Sequence, residues 1–160
     1  MDSRESARIS INMKILYTIG FTKKNAEEFF ETLKSHSVEL LIDTRINNTS
    51  QLAGFTKADD LRYFLKTIAN IKYDYRPDFA PTQELLKDWR SKKIDWHQYE
   101  TRYMCLQEER GTYKRFLEDY EAYTNICILC SEATPEYCHR RLLAEKIKQF
   151  FQNEIEVIHL

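Results

Sequence analysis

Glycine is scarce in this chain of 160 residues, which contains three, at positions 20, 54 and 111. A turn that brings the backbone close to a pyrophosphate needs several closely spaced glycines, and here Gly20 stands alone after an apolar run. The sequence therefore does not predict the glycine-rich motif that binds dinucleotides.

The chain also lacks a large net charge and a long apolar run. Its 24 basic and 25 acidic residues give a formal net charge of −1, so no globally basic surface for nucleic acid is expected. No apolar run approaches the roughly 20 residues that a membrane-spanning helix needs, and the polar N-terminus is unlike a secretory signal. With only four cysteines, these features predict a cytoplasmic protein without a membrane partner.

Strand-like and helix-like segments alternate from Lys14 onward, which predicts an α/β fold. The pattern favours a single doubly wound, mainly parallel sheet of about five strands, in an order such as 3-2-1-4-5, with helices on both faces. We expect residues 14–160 to form this domain and residues 1–13 to be a flexible extension. The predicted strands are 15–19, 38–42, 71–75, 126–130 and 155–158.

Residues typical of helix N-termini follow two of the predicted strands. Thr22 is predicted to cap the first helix, and Thr134 the last, with Pro135 at its first position and the helix running over 135–151. The free N–H groups and dipole of that last helix favour a bound anion or a thiolate.

Polar and reactive residues follow the apolar part of four predicted strands. Because parallel strands end at one edge of a sheet, where ligands bind, we expect these residues to line one crevice. The predicted catalytic residues are Cys138, Cys130, Glu132 and Asp43. The predicted substrate- or anion-binding residues are Thr18, Gly20, Arg45, Arg76, His139 and Arg140.

Three ordered segments resemble a known family. Thr-Ile-Gly at 18–20, Asp-Thr-Arg at 43–45 and Cys-Ser-Glu at 130–132, followed by Cys-His-Arg at 138–140, are similar to the signatures of the bacterial and archaeal "domain of unknown function 488" family. The resemblance runs from about Lys14 to Leu160 and implies a small α/β domain without an assigned reaction. Phe21-Thr22 replaces the family's usual His-Ser, and Asn47-Asn48 replaces a proline.

Cysteine chemistry gives several readings. A thiolate at Cys138 could act as a nucleophile with His139 or Glu132 moving the proton, and an equally supported reading makes Cys138 a small buried hydrophobe. A phosphatase is excluded because Glu136 occupies the position, six residues after Cys130, where its arginine is required.

Metal binding is the weaker alternative. Cys127 and Cys130 point to opposite faces of a strand, so they do not share an ion, and Cys127 is expected in the core, as is Cys105 on a helix. Zinc held by Cys130, Cys138 and His139 would need adjacent ligands to bend back together, so we predict no metal and no cofactor.

These observations predict an enzyme that acts on a phosphate-bearing substrate, a nucleotide or nucleic acid. The alternative is a non-catalytic binding module in which the same residues form a structural network. Asp43 illustrates both readings, since it is either a base or the partner of an arginine. If the crevice is catalytic, substitutions of Cys138, Arg45 or Glu132 should abolish function without loss of stability. The sequence leaves a homo-oligomer open.

Overall fold

The computed structural model describes residues 13–49, 53–132 and 134–160, in which five strands form one parallel sheet. Neighbouring strands are parallel throughout, in the order β3-β2-β4-β1-β5, which confirms the predicted α/β fold. The strands are β1 (Ile15–Gly20), β2 (Leu40–Asp43), β3 (Lys72–Tyr75), β4 (Asn125–Cys130) and β5 (Glu156–His159).

Helices cover both faces of this sheet. On one face lie α1 (Ala26–Ser35) and α2 (Ala58–Ala69). The other face carries α3 (Gln83–Arg90), α4 (Trp96–Glu109), α5 (Thr112–Tyr120) and α6 (His139–Phe150). Successive strand residues point to opposite faces, so β4 sends Ile126 and Ile128 into the second layer and Cys127 and Leu129 into the first.

The strand order differs from 3-2-1-4-5 because β4 lies between β2 and β1. The apolar sequence of β4 suits this central place, since its residues 126–130 are buried on both faces. In β3, charged residues alternate with tyrosines, and the strand forms one edge of the sheet, as expected. The apolar run identified a buried strand, but burial alone does not say which buried strand is central.

The last helix begins later than predicted. It starts at His139, with Cys138 as its N-cap residue, so Thr134 is not the cap and Pro135 lies outside the helix. One distant contact and one local contact hold the preceding loop: Tyr137 packs against tryptophans of α3 and α4, and Arg141 Nη2 donates to the carbonyl of Glu136, five residues before it, at 3.1 Å. These contacts outweigh the local Thr-Pro signal.

The first helix also begins elsewhere. Asn25 caps α1 through its side chain, which accepts from the N–H of Glu28 at 2.8 Å, while the Glu28 carboxylate accepts from the N–H of Asn25 at 3.1 Å. Thr22, the predicted cap, donates instead to the carbonyl of Ser131 at 2.5 Å. Thr22 therefore ties the β1–α1 turn to the segment after β4.

Burial corrects two further expectations and confirms others. Cys105 is exposed, so it is not a packing residue, whereas Met13, assigned above to the extension, is buried in the core. Cys127 is fully buried, as predicted, and so is Phe29 of α1. Residues 1–12 lie outside the described part. Within the residues described, none of the helices is long and apolar enough to span a bilayer.

Candidate active site

The carboxyl ends of the three inner strands lie side by side. In the register of the sheet, Gly20 at the end of β1 is opposite Cys130 at the end of β4, and Asp43 at the end of β2 is opposite Leu129. The N–H of Thr44 extends this ladder by donating to the carbonyl of Leu129 at 3.0 Å. Residues that are more than eighty positions apart in sequence are therefore neighbours at this edge.

Two cysteines meet at the edge. The sulfur atoms of Cys130 and Cys138 are within bonding distance, and their Cα atoms are 7.7 Å apart. Cys130 ends β4 and Cys138 precedes the first turn of α6, so the helix N-terminus faces the end of the central strand. Both residues are almost fully buried, yet both contribute to the wall of a cavity.

His139 lies beside the two cysteines. Ligand atoms of Cys130, Cys138 and His139 are all within 4.8 Å of one another, so the bend that we considered unfavourable does occur. The imidazole Nε2 is 3.0 Å from the carbonyl oxygen of Thr44 and 3.0 Å from its hydroxyl. Because a carbonyl oxygen only accepts, Nε2 carries the proton, and the lone pair of the neutral ring is on Nδ1.

Burial keeps this imidazole neutral near physiological pH. It lowers the pKa of His139 to about 4, and the nearby Arg140 adds to the decrease against the opposing effect of the Thr44 hydrogen bond. The ring also lies 5.7 Å from that of Tyr103, centroid to centroid. His139 is thus a neutral group with a fixed orientation.

Arg140 is a fully buried cation at the same edge. Its Nη1 donates to the carbonyl of Glu132 and lies 3.6 Å from the sulfur of Cys130. Burial lowers the pKa of Arg140 to about 10, so the guanidinium remains charged at neutral pH. Within the described residues, its Nε and Nη2 have no hydrogen-bond partner. A buried positive charge of this kind favours an anionic neighbour.

Gly20 makes this arrangement possible. A Cβ at position 20 would overlap the carbonyl oxygen of Glu132 and the guanidinium of Arg140. The residue predicted to bind substrate therefore has a structural function: its missing side chain lets the segment after β4 approach β1. Glu132 itself is exposed and lines the cavity.

Asp43 and Arg45 form a closed pair. Nε and Nη2 of Arg45 donate to the two carboxylate oxygens of Asp43, each at 2.8 Å, and Nη2 also donates to the carbonyl of Thr56 at 2.7 Å. Tyr73 adds a hydroxyl hydrogen bond of 2.6 Å to Asp43. Asp43 is fully buried and does not line the cavity, whereas Arg45 does. The reading of Asp43 as an ion-pair partner fits these contacts.

Two other predicted binding residues are directed elsewhere. Arg76 pairs with Asp78 at 2.9 Å and Asp119 at 2.6 Å, and its guanidinium stacks over Phe79. The hydroxyl of Thr18 is fully buried and hydrogen-bonded to Nδ1 of His159 at 2.6 Å. Neither residue lines the cavity, so only some of the strand ends that were predicted to form one crevice contribute to it.

A cavity of about 960 Å³ opens in front of the cysteines. Its lining includes Cys130, Glu132, Cys138 and His139 together with residues of α3 and Tyr99 of α4. The α3 side carries the ring of Trp89 and the exposed cations Lys87 and Arg90. A volume near 1,000 Å³ is sufficient for a nucleotide-sized ligand.

Tyr137 is the functional candidate that the sequence pattern missed. Its ring, 59% exposed, lies 6.0 Å from Trp89 and 5.3 Å from Trp96. Tyr99 stacks on Trp96 at 4.9 Å and also lines the cavity. A tyrosine directly before the Cys-His-Arg segment was the available signal, but its partners are about forty residues away in sequence.

Comparison with known proteins identifies the family and nothing more specific. No curated protein and no solved structure matches the chain significantly. A family model described as "Domain of unknown function DUF488" matches residues 25–147, which contain all the residues that line the cavity, including the two cysteines, and span more than half of the chain. The chain therefore belongs to the DUF488 family.

Proposed function

We propose that the protein is an enzyme that acts on a nucleotide unit, either free or within a nucleic acid. The observation that carries the proposal is the composition of one cavity, which combines the cluster of Cys130, Cys138 and His139 with the aromatic rings of Trp89 and Tyr137. Reactive groups face a surface on which a flat base can stack. Such a combination suits a substrate that is aromatic at one end and reactive at the other.

Substrate binding is assigned to the α3 side of the cavity. Trp89 and Tyr137 offer ring faces inclined by 34°, and base–aromatic stacking contributes about 1–3 kcal/mol per base. Lys87 and Arg90 lie on the same side and have exposed side chains, which suits phosphate oxygens. Arg45 reaches the cavity as well, but its charge is already shared with Asp43.

The two cysteines and Glu132 are proposed as the reactive centre. The thiolate is the active form of cysteine, whether it attacks a substrate directly or binds an ion. Arg140 near Cys130 and the N-terminus of α6 at Cys138 both stabilise a thiolate. The exposed carboxylate of Glu132 is free to move a proton in the cavity. Asp43 acts indirectly in this proposal, by holding Arg45 in place.

A non-catalytic nucleotide-binding module is the second candidate. It is favoured by the complete pairing of Asp43 with Arg45 and Tyr73, which leaves that carboxylate no free oxygen for chemistry. In this version the cavity binds the same ligands, and the polar network at the strand ends only maintains its shape. The enzyme requires thiols that remain reduced, so for it we propose a cytoplasmic location.

A turnover screen separates the two candidates. The purified chain is incubated with nucleoside phosphates, dinucleotides and short single-stranded DNA and RNA, and products are detected by mass spectrometry. Product formation that disappears in Cys138→Ser and Glu132→Gln, with Cys105→Ser as the matched control, supports the enzyme. Binding without turnover supports the module. If no member of the panel binds or reacts, both proposals are wrong.

A further inference from the structure

We propose that Cys130, Cys138 and His139 bind one zinc ion whose fourth coordination position opens into the cavity. The ligand atoms of these three residues are within 4.8 Å of one another, and all three residues line the cavity wall. Two thiolates and an imidazole are ligands that zinc prefers, and a set of three protein ligands leaves a position for water or substrate.

The spacing of the two cysteines suits an ion better than a bond. Their Cα atoms are 7.7 Å apart, whereas the Cα atoms of bridged cysteines are usually about 4.4–6.8 Å apart. Two sulfurs at about 2.3 Å from a tetrahedral zinc ion are separated by roughly 3.8 Å. The proposal therefore requires the two sulfurs, which lie within bonding distance, to separate by rotation of their side chains.

The surroundings of His139 are those of a zinc ligand. Its Nε2 donates to the carbonyl of Thr44, which leaves the lone pair on Nδ1, and a ring nitrogen of His139 lies within 4.8 Å of both sulfurs. A ligating histidine usually donates its other ring N–H to such an acceptor, which fixes both the tautomer and the orientation of the ring.

Arg140 supports the same arrangement from the other side. Its guanidinium approaches the sulfur of Cys130 to 3.6 Å, and a charge-assisted N–H contact to a ligating sulfur stabilises the thiolate. Gly20 admits Arg140 and the carbonyl of Glu132 to this position. Four separate features therefore converge on the pair of sulfurs: the imidazole, the guanidinium, the glycine and the helix N-terminus.

Elemental analysis of the full chain tests the proposal. The protein is purified with reductant, dialysed against metal-free buffer and analysed by plasma mass spectrometry, and we expect about one zinc per chain. Cys138→Ser and His139→Ala should each lose at least nine-tenths of the metal, while Cys105→Ser, at an exposed cysteine, should retain it. Retention of zinc by Cys138→Ser and His139→Ala would overturn the assignment.

Cobalt replacement gives a readout that needs no variant. Wild-type protein loaded with Co²⁺ should show thiolate-to-metal charge-transfer absorption and the visible bands of a tetrahedral ion, and zinc should abolish both. Thiol titration of the denatured protein should then detect all four cysteines. Two thiols and no metal would mean a disulfide and would overturn the proposal, as would four thiols with no bound zinc or cobalt.

The result is independent of the turnover screen. Bound zinc without turnover would support the metal site and contradict the enzyme. Turnover by a chain that binds neither zinc nor cobalt would support the enzyme and contradict the metal site.

Discussion

The carbonyl oxygen of Glu132 occupies the space that a Cβ on Gly20 would fill. This contact joins the end of β1 to the segment between β4 and α6, which carries the reactive residues of the proposed site. Arg140 enters the same space and donates to that carbonyl. The position of the cysteines consequently depends on a glycine in a neighbouring strand.

Replacing Gly20 with alanine should therefore displace the segment after β4. Inserting a methyl group into a filled space typically costs about 1–3 kcal/mol, and the displacement should also reduce zinc retention and activity. Gly54→Ala is the matched control, because nothing lies within 4 Å of its Cβ position. Urea unfolding measures the loss, and equal stability of the two variants would contradict the proposed contact.

The pair formed by Asp43 and Arg45 leads to a second prediction. Asp43→Asn leaves a guanidinium that is 3% exposed without its counter-charge, which typically costs about 3–5 kcal/mol. Glu121→Gln, an exposed substitution at the end of α5, should change stability by about 0.5 kcal/mol or less. Urea unfolding compares the two variants. A cost below about 1 kcal/mol for Asp43→Asn would show that the pair does not stabilise the fold.

A substitution of Tyr137 tests whether the aromatic side of the cavity, formed by Trp89, Tyr99 and Tyr137, binds the base. Tyr137→Ala should reduce nucleotide affinity by about tenfold, because loss of one stacking partner costs about 1–3 kcal/mol. Its melting temperature should change little, since the ring is 59% exposed. Tyr63→Ala removes a ring of similar exposure, 64%, from the opposite face and should leave affinity unchanged. Titration calorimetry measures both, and equal affinities would exclude this side of the cavity as the base-binding surface.

The ionisation of Asp78 leads to a prediction of how the stability of the fold depends on pH. Burial alone would raise the pKa of Asp78, but hydrogen bonds and attraction from Arg76 outweigh burial and lower it below its ordinary value of 3.8. A carboxyl whose pKa is lower in the folded state stabilises the fold above its unfolded pKa, and that contribution disappears as the pH falls through the folded value.

Urea midpoints at pH 7 and pH 3 measure this effect. The midpoint of the wild type should fall between the two pH values, and the fall should be smaller for Asp78→Asn. Glu154→Gln is the control, because its side chain is exposed. Identical acid sensitivity of Asp78→Asn and the wild type would contradict the role assigned to the pair with Arg76.

Local sequence patterns identified the elements of the fold and the edge of the sheet at which the candidate site lies. Sequence patterns located every strand to within about two residues: apolar runs marked the inner strands, which need apolar residues on both faces, and alternation of polar and apolar residues marked β3 at the edge. Cys130, Glu132, Cys138 and His139, all selected from the sequence, do line one cavity. The carboxyl ends of parallel strands lie at one edge of the sheet, so the predicted topology was sufficient to bring these residues together.

Contacts between distant residues account for what the sequence did not reveal. The Thr-Pro pair at 134–135 is a good local helix start, yet the packing of Tyr137 on α3 and α4 delays α6 to His139. Arg45 was expected to bind substrate without a stabilising role, but its two hydrogen bonds to Asp43 give it a part in stabilising the fold. The packing of Tyr137 leaves no signal in the local pattern of residues, whereas the pairing of Asp43 with an arginine was one of the two readings that the sequence allowed.

Tryptophan fluorescence tests the central claim, that the cavity binds a nucleotide unit, most directly. The chain contains two tryptophans, at 89 and 96; Trp89 lines the cavity, and the two ring centroids are 5.3 Å apart. Titration with nucleoside monophosphates should quench the emission saturably, and the matching nucleosides should bind more weakly because they lack the phosphate that contacts Lys87 and Arg90. Arg90→Ala should reduce that difference. If emission stays unchanged with every mononucleotide and short oligonucleotide up to millimolar concentration, the cavity does not bind nucleotides and the proposed function is wrong.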